Sequence, residues 1–288
     1  MFTDQPVTPV RLEILIGLLL EVRRRMPRQE AYRLIQPEAL KPNLKSGDPV
    51  VETVKAAIEL DLVEEDPIDK KLSLKADCQT EDQIRPAILK AIDKRVLASV
   101  GVEKYFALFY AYYLGLGKET YEYRAYNKEQ WADLFNQHVF ADDPQENRFN
   151  GTKLTGLHGW FNYVGLGWYD PSGEFQANPY NRLLRSLPSL FGKEKRLKID
   201  SFMANLAKTC PELDGGSLFR EANPRWRVED RRCTLGLSHA LIELHEDGII
   251  RLSCPADSSG LDIRDAEPPG GDDFGSSKIA VIELLKKA

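Results

Sequence analysis

With 288 residues, 42% of them hydrophobic and 29% charged, the chain is long enough for two or three small cores and too well balanced for wholesale disorder. A net charge of -5 argues against a protein that coats nucleic acid. The one clearly basic stretch is residues 148–200, with eight Lys or Arg against four Asp or Glu.

The start, MFTDQPVTPVR, lacks the basic and then apolar character of a signal peptide. The most apolar runs, LEILIGLLL and YFALFYAYYLGLG, are shorter than the ~20 residues of a membrane span. A cytoplasmic protein without a membrane partner is expected. Cys78, Cys210, Cys233 and Cys254 form no C-x-x-C pair, which suits free thiols in a reducing compartment and signals no metal site.

A first helix is read in RLEILIGLLLEVRRR, where Leu12, Leu15, Ile16, Leu19 and Leu20 make one stripe. PRQEAYRLIQP supplies a second, between Pro27 and Pro37. Asp48 caps a third, DPVVETVKAAIELDLV, with Pro49 at its first position. LVEEDPIDKKLSLK then has the grammar of a hairpin turned at DPID. Three helices followed by a hairpin make a winged-helix unit.

Residues 80–117 read as a helical connector: TEDQIRPAILKAIDKRVLASV is amphipathic after Pro86, and GVEKYFALFYAYYLGLG is apolar almost all round, as a buried helix is. A second unit begins at Asn127, an N-cap with Gln130 in the capping-box position. It continues with a helix from Gly151 to about Val164 and a hairpin around Asp-Pro-Ser-Gly. In that helix Leu154, Leu157, Phe161 and Val164 form the expected buried stripe with Trp160 on its flank, while Trp168 and Tyr169 point to opposite faces of the following strand.

A third unit comprises KIDSFMANLAKTC, the short GGSLFREANP, and TLGLSHALIELHEDG ended by Gly248. The strand IIRLSCP, a tract rich in turn formers and expected to be mobile, and KIAVIELL follow; the last reads as a returning strand, with a terminal helix as the alternative. The expected class is therefore mainly α with small β-hairpins: tandem winged-helix units joined by a helical connector. The boundaries are 1–78, 79–122, 123–192 and 193–288, the last with a long wing loop at about 255–277.

Catalytic patterns fail on inspection. LGLGKET around Lys118 lacks the first glycine and the Ser or Thr of a phosphate loop, so Gly115 and Gly117 read as a helix end. HEDG at His245 lacks the second histidine of a zinc-protease helix. The clusters Glu64, Glu65, Asp66 and Asp142, Asp143 read as solvated turns. No enzymatic role, cofactor or metal is expected.

Nucleic-acid binding is the obvious use of winged helices, although such units also dock proteins. Asp48, Glu52, Glu59 and Asp61 on the first unit's third helix outnumber Lys55, so that unit is expected to dock protein. The second unit offers Thr152, Lys153, Thr155 and His158 at a helix start; the alternative is that Asn150 and Thr152 only cap the helix. Ahead of the last helix, RWRVEDRR gathers Arg225, Arg227, Arg231 and Arg232 around Trp226, with Ser238 and His239 following. These suit a phosphate backbone, or else stack on Trp226 and pair with Glu229 and Asp230. The run NRLLRSLPSLFGKEKRLK, with Arg182, Arg185, Lys193, Lys195, Arg196 and Lys198, reads as a solvated charged face.

MFTDQPVTPVRLEILIGLLLE near the start and LSHALIELHEDGIIRL near the end resemble DpdG, a component of bacterial gene clusters that insert 7-deazapurines into DNA and restrict unmodified DNA. The resemblance spans the chain and rests on general character rather than an invariant motif. It implies an accessory role beside helicases and a base-exchange enzyme, and brings no catalytic residues. A looser similarity is to tandem winged-helix subunits that bind the kleisin of chromosome-condensing complexes. The expected function is a non-enzymatic accessory or scaffold subunit of a DNA-modification or phage-defence system. Its partners would be other proteins of that complex and double-stranded DNA. A pure protein adaptor and a transcription regulator are the alternatives.

Overall fold

The computed structural model describes residues 7–22, 25–36, 48–97, 103–140, 149–226, 231–263 and 278–286. These are mainly helical, with small antiparallel sheets. They form two compact units, Met1–Phe106 with Asn150–Trp160, and Ala107–Phe149 with Phe161–Ala288.

In the first unit, α1 (Pro9–Glu21) starts at Thr8, whose hydroxyl accepts from the Arg11 amide at 3.4 Å, and Pro9 fills the first turn. It buries Leu12, Leu15, Ile16 and Leu19 as the stripe predicts, while Leu20, the fifth residue of that stripe, is half-buried. After it come β1 (Arg25–Pro27), α2 (Arg28–Ile35) and α3 (Pro49–Glu59), the last capped by Asp48, which accepts from the Val50 amide at 3.0 Å. The hairpin of β2 (Val63–Glu65) and β3 (Lys71–Leu74) is the one read from the sequence, and Asp66 turns it by accepting from the amides of Ile68 and Asp69. The strand β1 is a finding: it adds to β3, giving the order β1-β3-β2. With three residues and only Met26 facing inward, it is too short to show a period of two.

Five acids of this unit are paired within it. Glu65 meets Arg28 at 3.1 Å, Asp66 and Asp69 meet Arg25 at 3.2 and 3.0 Å, and Asp61 meets Lys75 and Arg95 at 2.5 and 2.9 Å. Glu52 meets Lys55 at 2.7 Å. Within the connector, α4 (Ile84–Ile92) starts ahead of Pro86 and runs into a π-helical turn over Asp93–Leu97.

The helix α5 (Lys104–Leu116) is buried almost all round, from Phe106 to Tyr112 and at Leu114. Gly115 near its end is required: a Cβ there would lie 2.0 Å from the Asn223 side chain. In the second unit, α6 (Lys128–Val139) opens with the expected Asn127/Gln130 capping box. Phe109 packs against Phe135, Phe149 and Phe161 at ring-centre distances of 5.2, 5.1 and 6.2 Å.

The helix α7 (Gly151–Val164) precedes a hairpin of β4 (Gly167–Tyr169) and β5 (Phe175–Ala177). Asp170 closes it by accepting from the amides of Ser172 and Glu174. The α7 stripe buries Leu154, Leu157, Phe161 and Val164 as read. Trp160 departs from the expectation: it is fully buried and its indole donates to the Val7 carbonyl at 3.2 Å. Trp168 is 45% exposed while Tyr169 turns onto Phe175, as the alternation predicts.

The remainder runs α8 (Tyr180–Phe191), β6 (Arg196–Lys198), α9 (Ile199–Thr209), α10 (Ser217–Ala222), α11 (Leu235–Glu246) and β7 (Ile250–Ser253). After them come the short pair β8 (Leu261–Asp262) and β9 (Lys278–Ile279), then β10 (Val281–Leu284). KIAVIELL is thus extended, and the helical alternative falls. The expected mobile tract lies mostly at 264–277, outside the described residues. Here too the last strand is central, in the order β6-β10-β7. The succession helix, strand, helices, strand, returning central strand therefore occurs at both α1–β3 and α8–β10.

In the segment NRLLRSLPSLFGKEKRLK, Lys193, Lys195, Arg196 and Lys198 are exposed as read, and Arg182 is the departure from a solvated run. The segment forms α8 and β6, and Arg182 is buried, with its Nε donating to Glu212 at 2.8 Å. Arg182 also donates to Ser186 Oγ at 2.7 Å and to the Thr209 carbonyl at 3.1 Å. Two residues after Glu212, buried Asp214 accepts from the amide and hydroxyl of Thr234, the N-cap of α11, at 2.6 and 2.8 Å. Removing one partner of a buried ion pair leaves the other charge without compensation, so Glu212→Ala should cost about 3–5 kcal/mol. Chemical denaturation should show this as a lower midpoint, with much of the loss recovered in Arg182→Leu/Glu212→Leu. A Glu212→Ala chain as stable as the parent would contradict the assignment.

Candidate nucleic-acid interface

The residues singled out for nucleic acid fall into two groups. The first is the N-terminal part of α7, in the unit that includes Asn150–Trp160. Asn150 is the cap: its side-chain oxygen accepts from the Lys153 amide at 3.0 Å. Thr152 is exposed and caps nothing, so that alternative holds for Asn150 alone. The Thr155 hydroxyl donates back to the Gly151 carbonyl at 2.9 Å. The Lys153 ammonium lies 5.2 Å from the centre of the Tyr105 ring, and His158 is half-buried. Gly159 is exposed, and a Cβ added there would meet nothing within 4 Å. The whole helix carries no carboxylate, leaving its positive N-terminal end uncompensated by acidic side chains of its own.

In the second group, Arg231 is engaged within the fold. Arg231 has φ 46, a backbone region that a non-glycine residue holds only when its surroundings fix it. Its guanidinium donates to the carbonyls of Gly260 and Ser259 at 3.2 and 3.4 Å and to Asp200 at 3.1 Å. It therefore clamps the segment before β8 onto the start of α9. Trp226 packs edge-on against Phe219 at 5.3 Å, and Arg227, Glu229 and Asp230 lie outside the described residues. Arg225 and Arg232 are exposed.

The helix that follows corrects another expectation. Ser238 is buried and its hydroxyl donates to the Thr234 carbonyl at 2.8 Å, so it offers nothing to a base or phosphate. Along α11 only His239 and Glu246 are exposed. At Gly236 a Cβ would come within 2.6 Å of the Ala177 carbonyl oxygen. A helix enclosed in this way presents no reading face to a major groove.

A surface that the sequence reading passes over lies in the second unit, along YEYRAYNKEQW at residues 121–131. Tyr123 contacts Tyr126 at 5.1 Å and Trp131 at 5.7 Å, and Trp131 contacts Tyr113 at 5.4 Å, which rests on Phe175. Tyr121 is 46% and Tyr126 37% exposed. The Arg124 guanidinium stands 4.1 Å from the Tyr121 ring centre and 3.4 Å from Glu174. Partial burial raises the Tyr123 phenol pKa, and the nearby carboxylates of Glu119 and Glu122 raise it further. The legible signal was the density of tyrosines, masked by their lack of helical or strand spacing.

A family model described as DpdG-like matches residues 2–258. The chain belongs to the DpdG-like family. The family match runs from ahead of α1 to just past β7 and stops short of β8, β9 and β10. No curated protein and no solved structure matches the chain. Among the described residues, no grouping of three or more His, Cys, Asp or Glu could hold a metal ion, and no helix is long and apolar enough to cross a membrane.

The two neighbouring arginines should behave differently. Arg231→Ala removes charge-assisted bonds and should lower stability by about 1–2 kcal/mol, whereas exposed Arg232→Ala should stay within about 0.5 kcal/mol of the parent. Thermal melts of both variants check this, and equal effects would contradict the clamp.

Proposed function

We propose that the chain is a non-enzymatic accessory subunit of a bacterial 7-deazapurine DNA-modification and restriction system, where it holds protein partners and touches double-stranded DNA. Membership of the DpdG-like family over residues 2–258 carries this reading. The arrangements α1–β3 and α8–β10 act as winged-helix units, for which their shared strand order is the support. Within such a subunit the DNA contact of the first unit falls to the N-terminal part of α7, through Thr152, Lys153 and Thr155, and the exposed side chains of Arg225, Arg232 and His239 are the candidates of the second unit, taken by itself. The support is a carboxylate-free helix start in the basic part of the chain, with Thr152 exposed and Lys153 and Thr155 half-buried. His158 is half-buried and secondary.

A pure protein adaptor is the second reading, and one observation favours it: α11, placed where such a unit would read a groove, is enclosed. Fluorescence anisotropy of a labelled duplex across a salt series separates the two. Phosphate contact must weaken as salt rises, and Lys153→Glu/Arg232→Glu should lower affinity about tenfold at low salt on any duplex sequence. A salt-independent signal, or none, removes DNA from the account and leaves the adaptor.

A further inference from the structure

We infer that the aromatic surface formed by Tyr121, Tyr123, Tyr126 and Trp131 docks an arginine-bearing segment of a partner protein. This is separate from the duplex contact above, since a chain that never touched DNA would still present it.

Three observations carry the inference. The rings are not hidden: Tyr121 and Tyr126 are exposed and Tyr123 and Trp131 half-exposed, although Tyr113 behind them gives a firm floor. Tyrosine and tryptophan left in one surface cluster are the side chains that dominate binding energy at protein interfaces. Next, two carboxylates beside Tyr123 are unspent. Glu119 and Glu122 are exposed and make no ion pair among the described residues, in contrast to the acids around β2 and β3. Aromatic faces are themselves electronegative, so both features favour a cation. Finally, the surface already shows how a guanidinium sits there: Arg124 lies over Tyr121 while reaching Glu174. Arginine, which is planar and weakly hydrated, stacks and pairs at once in this way, as lysine does not.

Single-stranded nucleic acid also stacks on exposed aromatic rings. Phosphates would have to pass Glu119 and Glu122, which makes a basic peptide the better occupant.

The test uses the full chain without DNA and a fluorescein-labelled peptide of alternating glycine and arginine, followed by anisotropy. A citrulline version keeps the shape and removes the charge. The arginine peptide should bind and the citrulline peptide should not. Glu119→Gln/Glu122→Gln and, separately, Tyr126→Ser should each weaken binding about five- to tenfold, with circular dichroism confirming the fold. The remote pair Glu81→Gln/Asp82→Asn should leave binding unchanged. Equal losses at the remote pair would mean general attraction to an acidic protein and would overturn the inference. So would absence of peptide binding, insensitivity to the surface variants, or an oligothymidylate that binds in a Tyr126-dependent way.

Discussion

The second unit depends on one short turn, PELDGG at residues 211–216, which places two carboxylates where no water reaches. Glu212 neutralises Arg182 on α8, and Asp214 holds the cap of α11 through both polar groups of Thr234. A charge in such a place is tolerated only when paired and hydrogen-bonded, so the turn fixes the positions of α8 and α11 together. The Tyr110 hydroxyl, fully buried and made harder to ionise by burial and then by Glu212 and Asp214, marks how dry the surroundings are. Gly216, where a Cβ would sit 2.3 Å from the Pro211 carbonyl oxygen, lets the turn close on itself.

That constraint decides which surfaces are left for work. Once α11 is capped from inside and pressed at Gly236 against Ala177, its residues serve the core, and Ser238 with them. Arg231 is likewise spent on holding the β8 approach to Asp200. Among the described residues, the start of α7 in the first unit and the tyrosine-rich surface of the second are two of the surfaces that stay open. The first is short of acid and suits phosphate; the second has two unmatched glutamates and suits a basic protein segment. The proposed division of labour keeps Thr152, Lys153 and Thr155 of α7 for DNA and moves the proposed protein contact to the tyrosine-rich surface. Of the first unit's acids expected to dock protein, Asp61 pairs with Lys75 and Arg95, Glu52 with Lys55 on the same helix, and Asp48 caps α3.

What could be read from the sequence was what local physics dictates. Asp48 ahead of Pro49, the Asn127/Gln130 box, the Asp66 and Asp170 turns and the leucine stripe of α1 each declare themselves within a few residues. The three-residue strands β1 and β6 do not, because they are defined by the partners β3 and β10, far along the chain. Arg182 looked like surface charge for the same reason: its partner Glu212 is thirty residues away and sits in a segment with no period to announce its burial. Trp160 was placed on a flank because helical spacing cannot foresee a carbonyl at Val7. The family, in contrast, was legible from the character of the two ends of the chain, although no single motif carried it.

Amide hydrogen exchange of the full chain with and without saturating duplex DNA tests the central claim most directly, because it reports which helix the DNA covers. The account predicts added protection over residues 150–160 and none along α11, whose amides are already enclosed. Protection concentrated on 235–246, or no change anywhere, would contradict it.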